Sequence, residues 1–283
     1  KMLVTLNDVL LDAQKNKYGV GLFNTVNLEM AKGVLAAAEE LRSPVIIGTA
    51  EVLLPYASLE ELAYFLLPMA KKATVPVVLH FDHGLTSGKI LEALRLGFSS
   101  VMYDCSSDSY DENVRKVAEM VKIARLFGAT VEGELGHVGA NDGSAEGDAS
   151  GDHSIYTEPS QAKDFIEKTD VDALAVAIGT AHGAYKEKPK LDIERLKEIA
   201  HTVSTPLVLH GGSGLSDDDF RNCVSNGIAK VNIFTDINTA QVKSVVENYK
   251  EGFGMTDVMC QASDAVMRAT MKKMLVFGSN NRA

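Results

Sequence analysis

Residues 18–50 read YGVGLFNTVNLEMAKGVLAAAEELRSPVIIGTA. The two ends, YGVGLFN (18–24) and SPVIIGTA (43–50), are short, mostly apolar runs closed by turn residues, as in strands buried on both faces. Between them, NLEMAKGVLAAAEELR (27–42) repeats apolar residues every three or four positions, with an acidic residue near its start, as in an amphipathic helix. Strand, helix and strand in that order make a parallel crossover unit. A doubly wound open sheet would place a GxGxxG turn after this first strand. The sequence has FNTVN there instead.

The same unit recurs along the chain. Further strand-like runs are PVVLHFDH (76–83), SSVMYDCS (99–106), TVEGELGHV (130–138), ALAVAIG (173–179), PLVLHGGS (206–213) and IAKVNIFT (228–235). Helical segments such as SLEELAYFLLPMAKKA (58–73), YDENVRKVAEMVKIARLFG (110–128) and DIERLKEIAHTV (192–203) separate them. Eight strands, each followed by a helix, predict an α/β fold of the (β/α)₈ TIM-barrel type, a single domain over residues 1–283. Residues 254–283 predict an extra C-terminal helix, packed on the barrel or on a second subunit. The segment GANDGSAEGDASGDH (139–153) breaks the rhythm after the fifth strand. It reads as a mobile active-site loop, with a tolerated surface insertion as the alternative.

Composition excludes several classes. The chain is 46% hydrophobic and 23% charged with 7 prolines, so it can bury a core and is not a disordered chain. Its 28 basic and 38 acidic residues give a net charge of -10, which opposes nucleic acid and anionic membranes. No apolar run approaches the roughly 20 residues of a membrane span. Cys105, Cys223 and Cys260 form neither an even set nor a CxxC pair. A cytoplasmic protein is expected.

A barrel of this type places chemistry where its strands end. Those stops are Asn24, Asp82 and His83, Asp104, Glu134, His182, His210, and Asn232 with Thr235. Three imidazoles and three carboxylates at one mouth have the composition of a metal site, suited to zinc, cobalt or iron. His80 shares a strand face with Asp82 and reads as a residue that supports a ligand or packs in the barrel. His137, His153 and His201 read as loop or solvated positions. After the seventh strand, HGGSGLSDDD (210–219) is a glycine-rich turn into a helix, able to hold a phosphate on backbone N–H groups.

Taken with HFDHG (80–84), VEGELG (131–136), AVAIGTAHG (175–183), PLVLHGGSGL (206–215), KVNIFTD (230–236) and FGSNNRA (277–283), the sequence resembles the class II, metal-dependent ketose-bisphosphate aldolases over nearly its whole length. It is nearer their tagatose-bisphosphate-like branch. The resemblance implies reversible cleavage of a phosphorylated ketose, tagatose- or fructose-1,6-bisphosphate-like, to dihydroxyacetone phosphate and an aldehyde through a zinc-stabilised enediolate. It implies that His83, His182 and His210 hold Zn2+, with Asp104 and Glu134 near an alternative metal position. Asp82 would shuttle the hydroxyl proton. Gly183, Gly211, Ser213, Asn232 and Thr235 would hold the phosphate with help from Na+ or K+, and Asn24 would line the same site. A homodimer or homotetramer is also implied.

Departures from the family pattern bear on substrate. Family loops usually read GGEEDG, with a glutamate that exchanges a proton on the dihydroxyacetone carbon. Here the match is GANDGS, which puts Asp142 at that position and leaves Glu146 as a competitor. The arginine-bearing DPR segment of fructose-bisphosphate enzymes is absent, leaving Arg268 and Arg282 as the C-terminal basic candidates for a distal phosphate. The expected distal aldehyde is therefore unphosphorylated, or a sugar acid or deoxy sugar. Three rivals compete: a Schiff-base aldolase using Lys230, a metal-dependent hydrolase, and a non-catalytic partner subunit of an aldolase.

Overall fold

The computed structural model describes residues 2–136, 139–140, 156–182 and 189–283. Its core strands are β1 (Val20–Asn24), β2 (Val45–Ala50), β3 (Val77–Gly84), β4 (Ser100–Tyr103), β5 (Thr130–Leu135), β6 (Ala173–Val176), β7 (Leu207–Leu209) and β8 (Ile228–Ile233). Each pairs in parallel with the next, and β8 pairs with β1. The sheet is thus a closed TIM barrel, as the crossover units predict.

Helix α1 (Leu6–Asn16) precedes the barrel. One helix follows each strand: α2 (Leu28–Glu40), α3 (Leu59–Lys72), α4 (Ser87–Leu96), α5 (Tyr110–Leu126), α6 (Pro159–Thr169), α7 (Ile193–Thr202), α8 (Asp217–Ser225) and α9 (Thr235–Asn248). Local chemistry sets their starts. The Asn27 side chain accepts from Met30 N–H to open α2, and Ser58 with Glu61 forms a capping box on α3.

The barrel interior changes character along its axis. Towards the N-terminal ends, Val20, Ile46, Val78, Ala173 and Val208 pack with Leu6, Leu10 and Ala13 of α1, which closes that end. Further along β1, β3, β5 and β8, and just past the end of β7, the inward positions turn polar: Asn24, His80 and Asp82, Glu132 and Glu134, Lys230 and Asn232, and His210, all buried. Apolar residues on the outward faces, such as Phe23, Phe81, Val131, Leu174 and Val231, pack beneath the helices. Most of the buried apolar residues lie beneath the helices, with the smaller floor below, and the upper half of the interior is polar.

The tail forms α10 (Met255–Phe277), which packs on the barrel's own α2, α8 and α9. Gly33 makes this approach possible: a Cβ there would lie 2.6 Å from the Ser263 carbonyl oxygen and 2.8 Å from Val266 Cβ. Beyond α10, the Arg282 guanidinium lies 5.1 Å from the Tyr18 ring centroid, just before β1. That is the end opposite the strand stops, so Arg282 does not reach the mouth. Arg268 lies exposed on α10. Most of the 139–153 segment lies outside the described residues, but Gly139–Ala140 pairs in parallel with Ala181–His182 and joins the loops after β5 and β6.

Replacing Gly33 by valine forces α2 and α10 apart. Urea unfolding should show a loss of about 1–3 kcal/mol, whereas Gly88→Ala, with open space at its Cβ and an ordinary helical backbone, should lose less.

Candidate active site

Asp82 and His83 are neighbours on β3, yet both serve one cluster. Strand alternation would send consecutive side chains to opposite faces. The pairing of β3 with β4 slips between Phe81 and Gly84, and His83 takes a left-handed φ of +42°. A non-glycine residue in that region costs about 1–3 kcal/mol, held only where the surroundings over-determine it. The turn is fixed on the β4 side by Asp104 N–H, which donates to the Gly84 carbonyl at 3.0 Å.

The two imidazoles are oriented from behind by carboxylates. His83 Nδ1 lies 2.7 Å from Asp104 Oδ2, and Ser106 donates to the other Asp104 oxygen through both N–H and hydroxyl. His210 Nε2 lies 2.7 Å from Glu132 Oε1. With those nitrogens donating to carboxylates, His83 Nε2 and His210 Nδ1 face one another 2.8 Å apart. Their ring planes cross at 83°. Glu134 Oε2 sits 3.6 Å from His210 Nδ1. This is the carboxylate–histidine arrangement that presents a metal with two aimed imidazoles.

Asp82 completes the cluster. Its carboxylate accepts from Asn24 Nδ2 at 2.7 Å and from Asn232 Nδ2 at 3.0 Å. Candidate ligand atoms of Asp82, His83 and His210 lie within 4.8 Å of one another, as do those of His83, Asp104 and Glu134. The donor set therefore fits a divalent cation. Electrostatics agree: burial alone would strip the His83 proton, but Asp82, Asp104 and Glu134 outweigh it and hold its pKa up at about 10. A site that retains a proton so strongly favours positive charge. Burial pushes His210 and His80 the other way, towards neutral imidazole.

Below the mouth, Lys230 Nζ is fully buried, 2.7 Å from Glu132 Oε2 and donating to Asn232 Oδ1 at 2.7 Å. Burial would raise the Glu132 carboxyl, but Lys230 and His210 hold it down at about 2. Glu132 thus joins the lysine to a candidate ligand, a link the sequence reading missed. Glu132 and Glu134 are two apart on β5 and share a face, which places Glu132 in the interior without naming its partner. His80 lies in the same layer, with Nδ1 2.7 Å from Ser100 Oγ.

The other sequence-derived residues divide clearly. Gly211 has a φ of +63°, and a Cβ there would lie 2.4 Å from the Ala181 carbonyl oxygen, so the loop after β7 lies against the strand bearing His182. Ser213 Oγ accepts from Phe234 N–H, tying that loop to the start of α9 at Thr235. The His182 side chain, Gly183, Asp142, Glu146, His137 and His153 lie outside the described residues. His201 is exposed near the end of α7, as expected.

The comparisons with known proteins agree with this geometry. Residues 4–282 match the family described as fructose-bisphosphate aldolase class-II. The chain belongs to the class II fructose-bisphosphate aldolase family. It is an enzyme, a carbon–carbon lyase. An uncharacterised Escherichia coli K12 protein, YdjI, is 42% identical over 272 residues, covering 96% of both chains. A Staphylococcus aureus fructose-bisphosphate aldolase is 37% identical over 290 residues, covering 99% of both. The crystal structure of the E. coli YdjI aldolase superposes with a TM-score of 0.88, covering 100% of both chains at 37% identity. A putative fructose-1,6-bisphosphate aldolase from Coccidioides immitis also gives 0.88, with 97% and 96% covered at 30% identity. Membership in this metal-dependent class sets aside the Schiff-base, hydrolase and non-catalytic readings. Among the described residues, no helix is long and apolar enough to cross a membrane.

Removing Glu132 should leave the buried Lys230 without its carboxylate partner, with Asn232 Oδ1 still accepting from it. Glu132→Ala is expected to cost about 3–5 kcal/mol in chemical unfolding, and Glu132→Ala combined with Lys230→Met should recover part of it.

Proposed function

We propose that this enzyme cleaves a phosphorylated ketose reversibly to dihydroxyacetone phosphate and an aldehyde, with Zn2+ held by His83, His182 and His210. The observation that carries this reading is the convergence of His83 Nε2, His210 Nδ1 and the Asp82 carboxylate at one acid-lined mouth. Glu134 and Asp104 offer a second position to the ion, although Asp104 also orients His83. The bound cation supplies a Lewis acid for the ketone oxygen.

The chain's own groups do the rest. Asp82, accepting from two asparagine amides, is held as a carboxylate and takes the proton of the hydroxyl whose carbon–carbon bond breaks. In the reverse direction it returns that proton. Asn24 and Asn232 fix the carboxylate and face the same space. Gly183, Gly211, Ser213 and Thr235, with Asn232, form the phosphate cradle, and Na+ or K+ offsets the charge there. Asp142, or Glu146, exchanges the proton on the dihydroxyacetone carbon. The enzyme works in the cytoplasm as a homodimer or homotetramer.

The distal end of the substrate carries no phosphate. Support comes from the placement of the two C-terminal basic candidates, Arg282 beside Tyr18 at the closed end and Arg268 exposed on α10. Release of dihydroxyacetone phosphate from fructose and tagatose 1,6-bisphosphates, fructose 1-phosphate, and 5-deoxy or acidic ketose phosphates tests both parts. EDTA should abolish turnover, and a monophosphate should be the best substrate. Turnover that survives EDTA would remove the metal reading, and selective cleavage of fructose 1,6-bisphosphate would remove the distal-group reading. Asp82→Asn should lower kcat by about 10²–10⁴ while metal content stays at the wild-type level.

A further inference from the structure

Residue Glu51 lies outside the barrel mouth's cluster, at the start of the short 3₁₀ turn Glu51–Leu53 that follows β2. Its carboxylate reaches across to the neighbouring turn after β3. Oε2 accepts from Leu85 N–H at 2.7 Å and from Thr86 N–H at 3.1 Å, while Oε1 accepts from the Thr86 hydroxyl at 2.9 Å. Three donors from two consecutive residues therefore converge on one side chain of a different unit. Thr86 is also the residue that caps α4. An anion suits that place, where the helix dipole and the unpaired N–H groups of a first turn attract negative charge.

The segment clamped in this way begins two residues after His83. Between the clamp and His83, with its left-handed φ, lies only Gly84, whose carbonyl accepts from Asp104 N–H on the other side. The Gly84 backbone is already crowded: a Cβ there would lie 2.7 Å from the Met102 carbonyl oxygen. The strained turn is thus gripped at two points, by β4 through Asp104 and by the loop after β2 through Glu51. A backbone held from one side only can relax towards the ordinary β region, which would rotate the His83 imidazole away from His210.

We propose that Glu51 is a positioning residue: by clamping Leu85 and Thr86, it keeps His83 in the left-handed conformation that aims its Nε2 at the cation. The inference rests on His83 being a metal ligand. It gives the loop after β2 a function in preorganising the site without touching substrate or ion.

The test is zinc affinity, measured on the purified full chain by competition with a chromogenic chelator, together with the visible spectrum of the Co2+-loaded protein. Glu51→Gln should weaken Zn2+ binding at least tenfold and alter the Co2+ bands, because His83 no longer holds its angle. Thermal unfolding of the metal-free protein should move little, since loss of the clamp also releases the His83 strain. Thr86→Val removes one clamp bond together with the α4 cap, and no charge, and should weaken Zn2+ at least threefold; it separates geometry from the simple loss of a nearby negative charge, the lost cap showing separately in the thermal unfolding of the metal-free protein, and it serves alone if Glu51→Gln does not fold. Zinc affinity within twofold of wild type in either variant would overturn the proposal, as would a Co2+ spectrum unchanged in both. Failure of the wild-type chain to bind Zn2+ would instead remove the reading of His83 as a ligand.

Discussion

Two adjacent residues of a regular strand cannot look into the same cavity, and the site depends on breaking that rule at one point. Asp82 and His83 serve one cluster because β3 bulges between Phe81 and Gly84 and His83 turns left-handed. A regular strand would leave either the Asp82 carboxylate or the His83 imidazole facing the helices, where an apolar layer waits for it. The strain is local, and it is held by rigid neighbours: β4 through Asp104, and the β2 loop through Glu51.

Beneath that turn the barrel is divided into an apolar floor and an ionic ceiling. A buried lysine or glutamate alone would carry a large desolvation penalty. Lys230 and Glu132 meet each other inside the barrel, and each has a second partner in the site, Asn232 and His210. The stack thereby runs upward from ammonium to carboxylate to a neutral imidazole. Asn232 links the same lysine to Asp82. The orientation of the mouth is a property of this stack as much as of the residues at its surface.

Much of this was legible in the sequence. The eight apolar runs announced the barrel because strands buried on both faces have no polar alternation to blur them, and the residues at their ends marked out a candidate cation site. Glu132 was not legible as a partner, since whether a glutamate two residues below a strand's end meets a lysine on β8 depends on the stagger of the closed sheet. The bulge was hidden as well: HFDHG shows no inserted residue, and the slip appears only in the pairing with β4. Glu51 carries no signal in the sequence because its three donors come from a stretch about 35 positions away. The packing of α10 hinged on Gly33, a small residue unremarked inside a good amphipathic helix.

The central claim is that the aimed imidazoles of His83 and His210, with Asp82 beside them, hold a divalent cation. Crystals of the protein grown with Zn2+ and measured on both sides of the zinc absorption edge test it directly. The account predicts one strong anomalous peak at the barrel mouth, within about 2.0–2.1 Å of His83 Nε2 and His210 Nδ1, with His182 as the third imidazole. Anomalous density elsewhere on the surface, and none at the mouth, would contradict it.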